Sequence, residues 1–211
     1  EMTTLDWAGI ADIGWEVTSN NQAPTLDLIN DRTINEDAAE QVIDLTGITA
    51  GGTDSQALRV TAVSSLTSLI LDPQVTYTSA ENTGSLHFTP TGNQHGTVQI
   101  TVTVEDGGPD GNLNTSADNA SSSRAFDVTV TPVNDKPIAQ PITHRPTENS
   151  PFEKDKAHGL ETLSSDVDND PLTFSLASPP DHGQLVFNED GSYRYIPHTN
   201  FNRTDSFSYR A

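Results

Sequence analysis

The sequence predicts an all-β protein built from two tandem Greek-key β-sandwiches, and three observations lead to this prediction. Apolar and polar residues alternate over several short runs, which is typical of strands with one buried face. Gly, Pro, Asn or Asp bound each run, and one long stretch occurs twice. The best run holds Val98, Ile100, Val102 and Val104 with polar residues between them.

The same alternation predicts further strands along the chain. They are expected at 58–62, 86–88, 126–130, 172–176, 185–187 and 207–209. NEDGS at 188–192 lies between GQLVF and YRYIP, and a short turn containing Gly between two strands predicts a β-hairpin. Short strands separated by such turns indicate antiparallel sandwiches of the Ig type.

An internal repeat divides the chain. FTPTGNQHGTVQITV at 88–102 aligns without a gap on YIPHTNFNRTDSFSY at 195–209. Two upstream pairs correspond at nearly the same offset, namely Pro24 with Pro137 and Glu36 with Glu148. The chain therefore holds two copies of one module.

The repeat sets the expected domain boundaries. Residues 1–21 are interpreted as the tail of an upstream domain, 22–135 as a first β-sandwich repeat and 136–211 as a second. By alignment the second copy has no counterpart of SRAFDVTVTPVND, so we expect it to lack its last strand and to leave an open sheet edge. TTLDWAGIADIGW within the first segment contains helix formers followed by Gly14, which would end a helix, and so predicts a short helical extension.

The charge of the chain limits its partners. Thirty acidic residues against ten basic ones give a formal net charge of -20. Such a chain repels phosphates and anionic lipid, so we expect no nucleic acid partner. Two explanations of the acidity stay open on composition alone: solvation in a salty medium, or binding of divalent cations.

Cysteine usage and hydropathy narrow the possibilities further. The chain contains no cysteine, so a bound metal must accept oxygen or imidazole ligands. No run of 18 apolar residues exists, and we expect no membrane insertion.

Catalysis is not expected. The six histidines are scattered without an HExxH pattern, and there is no GxSxG, no glycine-rich phosphate loop before a helix and no cysteine nucleophile. Paired acids at Glu189 and Asp190 fall in the predicted hairpin turn, where solvent exposure argues against tuned acid-base chemistry.

VNDKP at 133–137, NED at 35–37 and DVDND at 166–170 resemble the bacterial cadherin-like, tandem Ig-like repeats of large surface and secreted proteins. The two aligned stretches of the internal repeat are the most specific part of this resemblance. It implies an extracellular, cell-surface location and a role in adhesion. Separately, LDWAGIADIGWEV at 5–17 resembles the C-terminal end of a bacterial secreted metalloprotease domain, whose zinc site would lie outside this sequence.

The resemblance to cadherins also implies a calcium site. In that family a Glu from the start of one domain, acidic residues from a loop, an Asn-Asp linker and a DxD motif of the next domain hold Ca²⁺ between two modules. Carried over residue by residue, the ligands are Glu36, Glu105, Asp106, Asn134, Asp135, Asp166 and Asp168. All seven are expected to converge at the single junction between the two repeats.

Some residues depart from the family pattern. Pro132 stands where the family linker usually carries Asp, and GGTDSQ around Asp54 replaces DVDND, which argues against a site at the N-terminal edge of the first repeat. Each carboxylate has a plainer alternative as a turn former, and Asp170 before Pro171 is interpreted in that way. The insert GGPDGNLNTSADN at 107–119 offers oxygen side chains at alternate positions but lacks a closing Glu, so both a loop and a metal site stay open.

The sequence therefore predicts a non-catalytic, calcium-binding repeat pair that acts as a calcium-rigidified extracellular spacer and adhesion module. Its expected partners are calcium ions, adjacent repeats of the same protein, and another cell-surface protein or a polysaccharide. The alternative is a polysaccharide-binding or substrate-positioning accessory module of a secreted protease. Tyr193 and Tyr195 bear on this alternative, and we interpret them as core residues rather than a sugar-binding platform.

Overall fold

The computed structural model describes residues 21–52, 55–142 and 147–211. The chain divides into two compact units, 1–132 and 133–211, which we call unit 1 and unit 2. The helix predicted for TTLDWAGIADIGW at 3–15 lies outside the described residues, which begin at Asn21. The all-β class is confirmed, because both units consist of strands and only two short 3₁₀ helices occur in the described ranges.

Unit 1 forms two sheets that share one core. Its strands are β1 (Arg32–Asn35), β2 (Gln41–Leu45), β3 (Leu58–Ser64), β4 (Gln74–Thr76), β5 (Gly84–Phe88), β6 (Gly96–Asp106) and β7 (Ser121–Thr131). A four-stranded sheet has the order β1-β7-β6-β3, and a three-stranded sheet has the order β2-β5-β4. β1 runs parallel to β7, and the remaining pairs are antiparallel.

β6 is the central strand of the four-stranded sheet. It pairs with β3 on one edge and with β7 on the other, from Gly96 opposite Val130 to Glu105 opposite Ser121. Its alternating apolar side chains are buried, and Ile100, for example, is 0% exposed. The sequence predicted this strand and β7 because both carry long period-two alternation.

The core of unit 1 is one apolar cluster between the two sheets. The cluster combines alternate residues of β6 and β7 with alternate residues of β2 and β5 and with loop residues before and after β3. The fully or nearly fully buried members with the largest side chains are Leu45, Ile48, Ile70, Leu86, Ile100 and Phe126. Burial of apolar side chains contributes about 1.5–3 kcal/mol for each large residue, and this term dominates the stability of such a sandwich.

Unit 2 repeats part of this architecture with shorter strands. They are β8 (Ile138–Ala139), β9 (Phe152–Lys154), β10 (Ser164–Ser165), β11 (Ser175–Ser178), β12 (Gly183–Phe187), β13 (Tyr193–Pro197) and β14 (Ser208–Arg210), with 3₁₀ helices at Lys156–His158 and Leu160–Leu163. The sheets are β12-β13-β9, β11-β14 and β10-β8. Strand β11 begins later than the alternation predicted, because Leu172 lies before it and only Phe174 of that run is buried.

Matching contacts in the two units support the internal repeat. The β4-β5-β2 sheet of unit 1 corresponds to the β12-β13-β9 sheet of unit 2, and the β3-β6 pair corresponds to β11-β14. The aligned residues Asn93 and Asn200 both have positive φ, 56° and 62°. Their backbone N–H groups donate to the corresponding side chains of Asp37 and Asn149.

The predicted hairpin of unit 2 is present. β12 pairs with β13 antiparallel from Gly183 opposite Pro197 to Phe187 opposite Tyr193. The turn closes through the bond from the Asn188 N–H to the Ser192 carbonyl, and Gly191 adopts a φ of 80° that a residue with a side chain would rarely adopt.

Unit 2 has a smaller core that is rich in aromatic side chains. Leu160, Phe174 and Tyr193 are its buried centre. Burial raises the pKa of Tyr193 to about 12. Tyr195 is 7% exposed, so both tyrosines of the hairpin are core residues, as the sequence indicated.

A buried polar pair joins β13 to the segment before β14. The Tyr195 hydroxyl donates to Asp205 Oδ2 at 2.8 Å, and the same carboxylate accepts bonds from the backbone N–H groups of Asp181, His182 and Ser206. Burial alone would raise the pKa of Asp205, but these hydrogen bonds favour the ionised form and lower the pKa below its ordinary value.

The Asp205 network predicts an acid-sensitive unit 2. The pKa of Asp205 is lower in the folded state than in the unfolded state. Its contribution to the stability of unit 2 is therefore present above about pH 4 and is lost as the pH falls through the folded pKa. Tyr195→Phe should destabilise unit 2 at neutral pH by about 1–3 kcal/mol and raise the pKa of Asp205. Denaturation of the full chain between about pH 7 and pH 2, followed by circular dichroism, measures both effects.

Asp181→Asn serves as the control for that experiment, because it keeps the backbone N–H that bonds to Asp205. Asp205→Asn should flatten the pH dependence of the same transition. An unfolding transition of unit 2 with the wild-type acid profile in Asp205→Asn would contradict the assignment.

Candidate metal centre

Glu36 lies at one end of the four-stranded sheet of unit 1, directly after β1. Its backbone N–H donates to the Thr131 carbonyl at 2.9 Å, which fixes it beside the last residue of β7. The side chain is 3% exposed, and its Oε2 lies 3.8 Å from Nδ1 of His95. The resemblance implied that Glu36 is a ligand at the junction between the repeats, and within unit 1 Glu36 lies at the end of the sheet where β7 finishes.

Glu105 and Asp106 lie at the opposite end of the same sheet. They are the last two residues of β6, whose first residue, Gly96, pairs next to the Glu36 end. Nine residues of extended strand separate Gly96 from Glu105, a distance of roughly 30 Å. The expectation that Glu105 and Asp106 converge with Glu36 is therefore wrong, because an eleven-residue strand holds them apart.

Asp106 is the more buried of the two carboxylates at this end, which we call the N-terminal end of unit 1. It is 0% exposed. Its Oδ1 accepts hydrogen bonds from Asn21 Nδ2 at 3.0 Å, from the Gly108 N–H at 3.0 Å and from the Ala120 N–H at 2.8 Å. Gly108 has a φ of 61°, which turns the insert back so that its N–H reaches the carboxylate.

Three buried oxygens at this end accept no hydrogen bond in the described part of the chain. They are Asp106 Oδ2, Asn119 Oδ1 and Gln56 Oε1. The two amides are oriented by their other atoms, since Asn119 Nδ2 donates to Glu105 and Gln56 Nε2 donates to Asn21. Buried acceptors without a donor are costly, so this cluster of oxygens favours a positively charged or hydrogen-donating ligand.

Glu105 has a different environment from Asp106. Arg59 Nη2 contacts its Oε2 at 2.5 Å, and Asn119 Nδ2 donates to its Oε1 at 3.1 Å. The hydrogen bond from Arg59, followed by that from Asn119, lowers the pKa of the Glu105 carboxyl. Both oxygens are thus already engaged, and Asp106 is the better placed of the two acids for a ligand.

Unit 2 brings three of its four predicted ligands together. The Asp135 backbone N–H donates to Asp168 Oδ2 at 2.7 Å, and the Asp168 N–H donates to Asp166 Oδ1 at 2.9 Å. Asp170 also donates its N–H to Asp166, in agreement with its interpretation as a turn residue. Asn134 adjoins this group, and its side-chain amide donates to the Asp135 carbonyl.

Sequence reasoning missed Asn21, Gln56 and Asn119 as residues whose side-chain oxygens lie at the N-terminal end of unit 1, where they could bind a metal ion. The repeat alignment contained the signal for two of them, because Asn21 corresponds to Asn134, and Gln56 corresponds to Asp168 when Asp54 is set on Asp166. No pattern in the sequence points to Asn119.

The insert at 107–119 folds as consecutive polar turns. Asp110 Oδ1 accepts from the Asn112 N–H, Asn112 Oδ1 accepts from the Asn114 N–H, and Thr115 Oγ1 donates to Asp110 Oδ2. These side chains hold the backbone of the loop, which agrees with its interpretation as a loop. Its last residues, Asp118 and Asn119, reach the cluster around Asp106, because the Asp118 carbonyl accepts from Asn21.

Comparison with family models identifies unit 1. Residues 21–131 match the model of the bacterial Ig domain, more than half of the chain. The chain belongs to the bacterial Ig domain family. Residues 134–211 match the bacterial cadherin-like domain, so this member of the family carries an Ig-like repeat followed by a cadherin-like repeat. No curated protein matches the chain significantly.

Several solved structures are similar at low sequence identity. An endo-fucoidan hydrolase of glycoside hydrolase family 107 has 16% identity and a TM-score of 0.35 over 93% of this chain and 29% of that one. Protocadherin gamma B2 extracellular domains 3–6 have 13% identity and a TM-score of 0.35 over 87% and 46%. Surface layer protein SbsC, domains 1–6, has 11% identity and a TM-score of 0.34 over 88% and 23%. The chain spans less than half the length of each, and these scores carry no argument about its function.

Two general features complete the description of the bacterial Ig-like chain. Within the described residues, no group of three or more His, Cys, Asp or Glu side chains has the arrangement of a metal site. The same residues contain no helix long and apolar enough to cross a membrane. The cluster around Asp106 differs from an all-carboxylate site, because two of its three unsatisfied oxygens belong to side-chain amides.

The pair of Arg59 and Glu105 predicts a measurable titration shift. Arg59→Met should raise the pKa of Glu105 toward its ordinary value, because the first cause of its lowering is the hydrogen bond from Arg59. Side-chain carboxyl carbon NMR of the full chain as a function of pH measures the shift. Arg194→Met, which removes a different cross-strand ion pair, with Glu153 of unit 2, is the control. An unmoved Glu105 titration in Arg59→Met would contradict the prediction.

Proposed function

We propose that the chain is a calcium-binding pair of Ig-like and cadherin-like repeats of an extracellular bacterial protein, acting as a spacer and adhesion module. The observation that carries the proposal is the set of three buried oxygens of Asp106, Asn119 and Gln56 that accept no hydrogen bond from the described residues. Calcium takes six to eight oxygen ligands from carboxylates, amide and backbone carbonyls and water. The donor set at this end fits that preference.

The composition of the cluster favours a cation over other ligands. All three unsatisfied atoms are acceptors, and Asp106 adds a carboxylate in a fully buried position. An anion would be repelled, and a neutral ligand would leave the carboxylate without a counter-charge on the side of Oδ2. Calcium would supply that charge, while the two amide oxygens would complete part of its coordination.

The family resemblance implies a second set of ligands in unit 2, although its three acids do not have the arrangement of a metal site in the described residues. Asp135, Asp166 and Asp168 are half-buried and joined by backbone bonds to one another's carboxylates. By the repeat alignment they correspond to Gln22, Asp54 and Gln56 of unit 1. Asn134 and Glu36 remain proposed ligands from the family resemblance.

The net charge of the chain supports the same function. With a formal charge of -20, like charges repel one another within each compact unit. Extracellular calcium modules bind at about 0.1–1 mM. At about 10 mM calcium each occupied site therefore adds roughly 1.4–2.7 kcal/mol to the folded state.

Calcium should stabilise unit 1 through Asp106. The melting temperature of its transition in the full chain should rise by several degrees at about 10 mM calcium, and magnesium should have less effect because it loses its water reluctantly. Asp106→Asn keeps the shape and the acceptor Oδ1 but removes the charge, so it should abolish most of the rise. Differential scanning calorimetry with isothermal titration of the same samples measures both.

Asp110→Asn is the matched control, since Asp110 is an exposed carboxylate of the adjacent insert whose oxygens bond within the loop. It should keep the calcium effect. A melting temperature that rises equally in Asp106→Asn would exclude this site, and the absence of any calcium effect in the wild type would overturn the proposed function.

Calcium should also stiffen the linker at 132–137. Asn134 and Asp135 belong to this linker, and an ion that binds them together with Asp168 would restrict its backbone. Small-angle X-ray scattering of the full chain should show a narrower distribution of dimensions with calcium than with a chelator. The double substitution Asp135→Asn and Asp168→Asn should remove the difference, whereas identical profiles with and without calcium in the wild type would contradict the spacer role.

A further inference from the structure

The insert at 107–119 leaves the body of unit 1 and returns to it beside one residue, Asp106. The Asp106 carboxylate accepts hydrogen bonds from the N–H groups of Gly108 and Ala120, which lie at the two ends of the insert. The Asp106 N–H donates in turn to the Ala120 carbonyl at 3.0 Å. Asp106 therefore holds both ends of the insert at one point.

Two glycines allow the insert to close on itself. A Cβ on Gly107 would lie 2.6 Å from the carbonyl carbon of Gly111, and a Cβ on Gly108 would lie 2.8 Å from the carbonyl carbon of Asp118. A side chain at either position would therefore collide with the returning backbone. The closed form of the insert depends on glycine at its first two residues.

The closed insert forms one wall of a groove between the two sheets of unit 1. β3 and β4 are edge strands of these sheets. The groove holds about 350 Å³, and the body of unit 1 lines it with Leu58, Arg59, Val60, Val75, Tyr77 and Ser79. The insert lines it with Leu113, the only large aliphatic side chain of its sequence. Closure thus places one half-buried leucine of a polar loop over an apolar groove.

Closure also brings negative charges together. Four acids lie between positions 105 and 118, and the insert itself contains no lysine or arginine. Arg59 pairs with Glu105, whereas Asp106 Oδ2 accepts no hydrogen bond from the described residues. Like charges held close together repel one another, so the closed insert is electrostatically costly until a cation binds beside Asp106.

We propose that the insert at 107–119 is a calcium-dependent strap. The ion at the cluster around Asp106 holds both ends of the insert, and the held insert keeps Leu113 over the groove between β3 and β4. Loss of the ion lets the ends separate and uncovers the apolar side of the groove. This inference rests on the calcium site of the proposed function and adds a conformational consequence that binding alone does not require.

A strap at this place protects the sandwich. An uncovered edge strand can pair with another chain, and proteins often prevent this by covering the edge with a loop. The groove that the insert closes includes Leu58, Arg59 and Val60, the first three residues of the edge strand β3. Calcium in the surrounding medium would therefore control whether this end of β3 is covered.

Hydrogen-deuterium exchange of the full chain, with calcium and with a chelator, tests the strap. If the ion binds only the closed insert, the open population falls about 10–100-fold at about 10 mM calcium, given a Kd of about 0.1–1 mM. The amides of Asp106, Gly108 and Ala120 bond across the closure, so their exchange should slow by the same factor. Asp106→Asn should remove the difference.

The turn at 188–192 of unit 2 is the internal control in every sample. The Ser192 N–H donates there to Asp190 Oδ1, a bond like those within the insert, but the turn contains no proposed ligand. Its exchange should be the same with and without calcium. Asp110→Asn changes an exposed carboxylate of the insert and should keep the calcium effect on the closure amides.

Leu113→Ser tests whether the insert is seated on the groove. Leu113 supplies no side-chain oxygen, so the calorimetric binding isotherm for calcium should not change. The closure amides should nevertheless exchange severalfold faster than in the wild type, with and without calcium, because the apolar contact is lost. Wild-type exchange rates in Leu113→Ser would overturn the assignment of Leu113 as the residue that seats the strap.

Isothermal titration of the same samples separates failure of the strap from failure of the proposed function. Calcium binding that is lost in Asp106→Asn, with closure amides that exchange equally with and without the ion in the wild type, would overturn the strap alone. A wild-type chain that binds no calcium would overturn both.

Discussion

The pairing of β6 with both β3 and β7 is the constraint on which the rest of unit 1 depends. A strand of eleven residues that is hydrogen-bonded on both edges must run straight through the sheet, and its alternate side chains must face the core. Val98, Ile100, Val102 and Val104 are accordingly almost completely buried. The same strand determines where functional side chains can lie, because it carries one acidic pair at its last two residues and leaves Glu36 beside its first.

This constraint explains why the polar cluster at the N-terminal end can exist. Asp106 is buried at the end of a strand whose hydrogen bonds are already satisfied, so the insert at 107–119 folds back to donate N–H groups to one of its oxygens. The second oxygen has no such donor in the described residues. A buried carboxylate that is half satisfied is costly in a sandwich that is otherwise stabilised by apolar burial. A cation that binds only the folded state offsets that cost.

The sequence predicted those elements whose pattern is local. β6, β7 and the hairpin of β12 and β13 follow from period-two alternation and from the NEDGS turn. β1 and β9 carry little alternation, and their pairing depends on strands far away in the chain, such as β1 with β7. The ends of strands were predicted less accurately for the same reason. Leu172, for example, lies outside β11 because pairing with β14 begins only at Ser175.

The candidate site shows the same division between local and non-local information. The resemblance to cadherins nominated Asp135, Asp166 and Asp168, and unit 2 joins them through hydrogen bonds from backbone N–H groups to carboxylates. Spacing could not show that Glu36 and Asp106 lie at opposite ends of one sheet, since that depends on the direction and length of β6. Alignment with a family pattern shows which residue types occupy the matching positions, but it does not show at which end of a strand those residues lie.

The aligned positions of the two repeats imply different responses to the same ion. In unit 1 the amide of Gln56 donates to the amide of Asn21, whereas in unit 2 the Asp168 carboxylate accepts from the backbone of Asp135, the residue that follows the counterpart of Asn21. Carboxylates bind a hard cation more strongly than amides do, but without the ion they repel one another. Unit 2 also has the smaller core, so its stability has less apolar burial to offset that repulsion. If calcium binds as proposed, the repeat with more carboxylates at this position should therefore depend more on the ion, even though Asp106, the most buried carboxylate among the described residues, lies in unit 1.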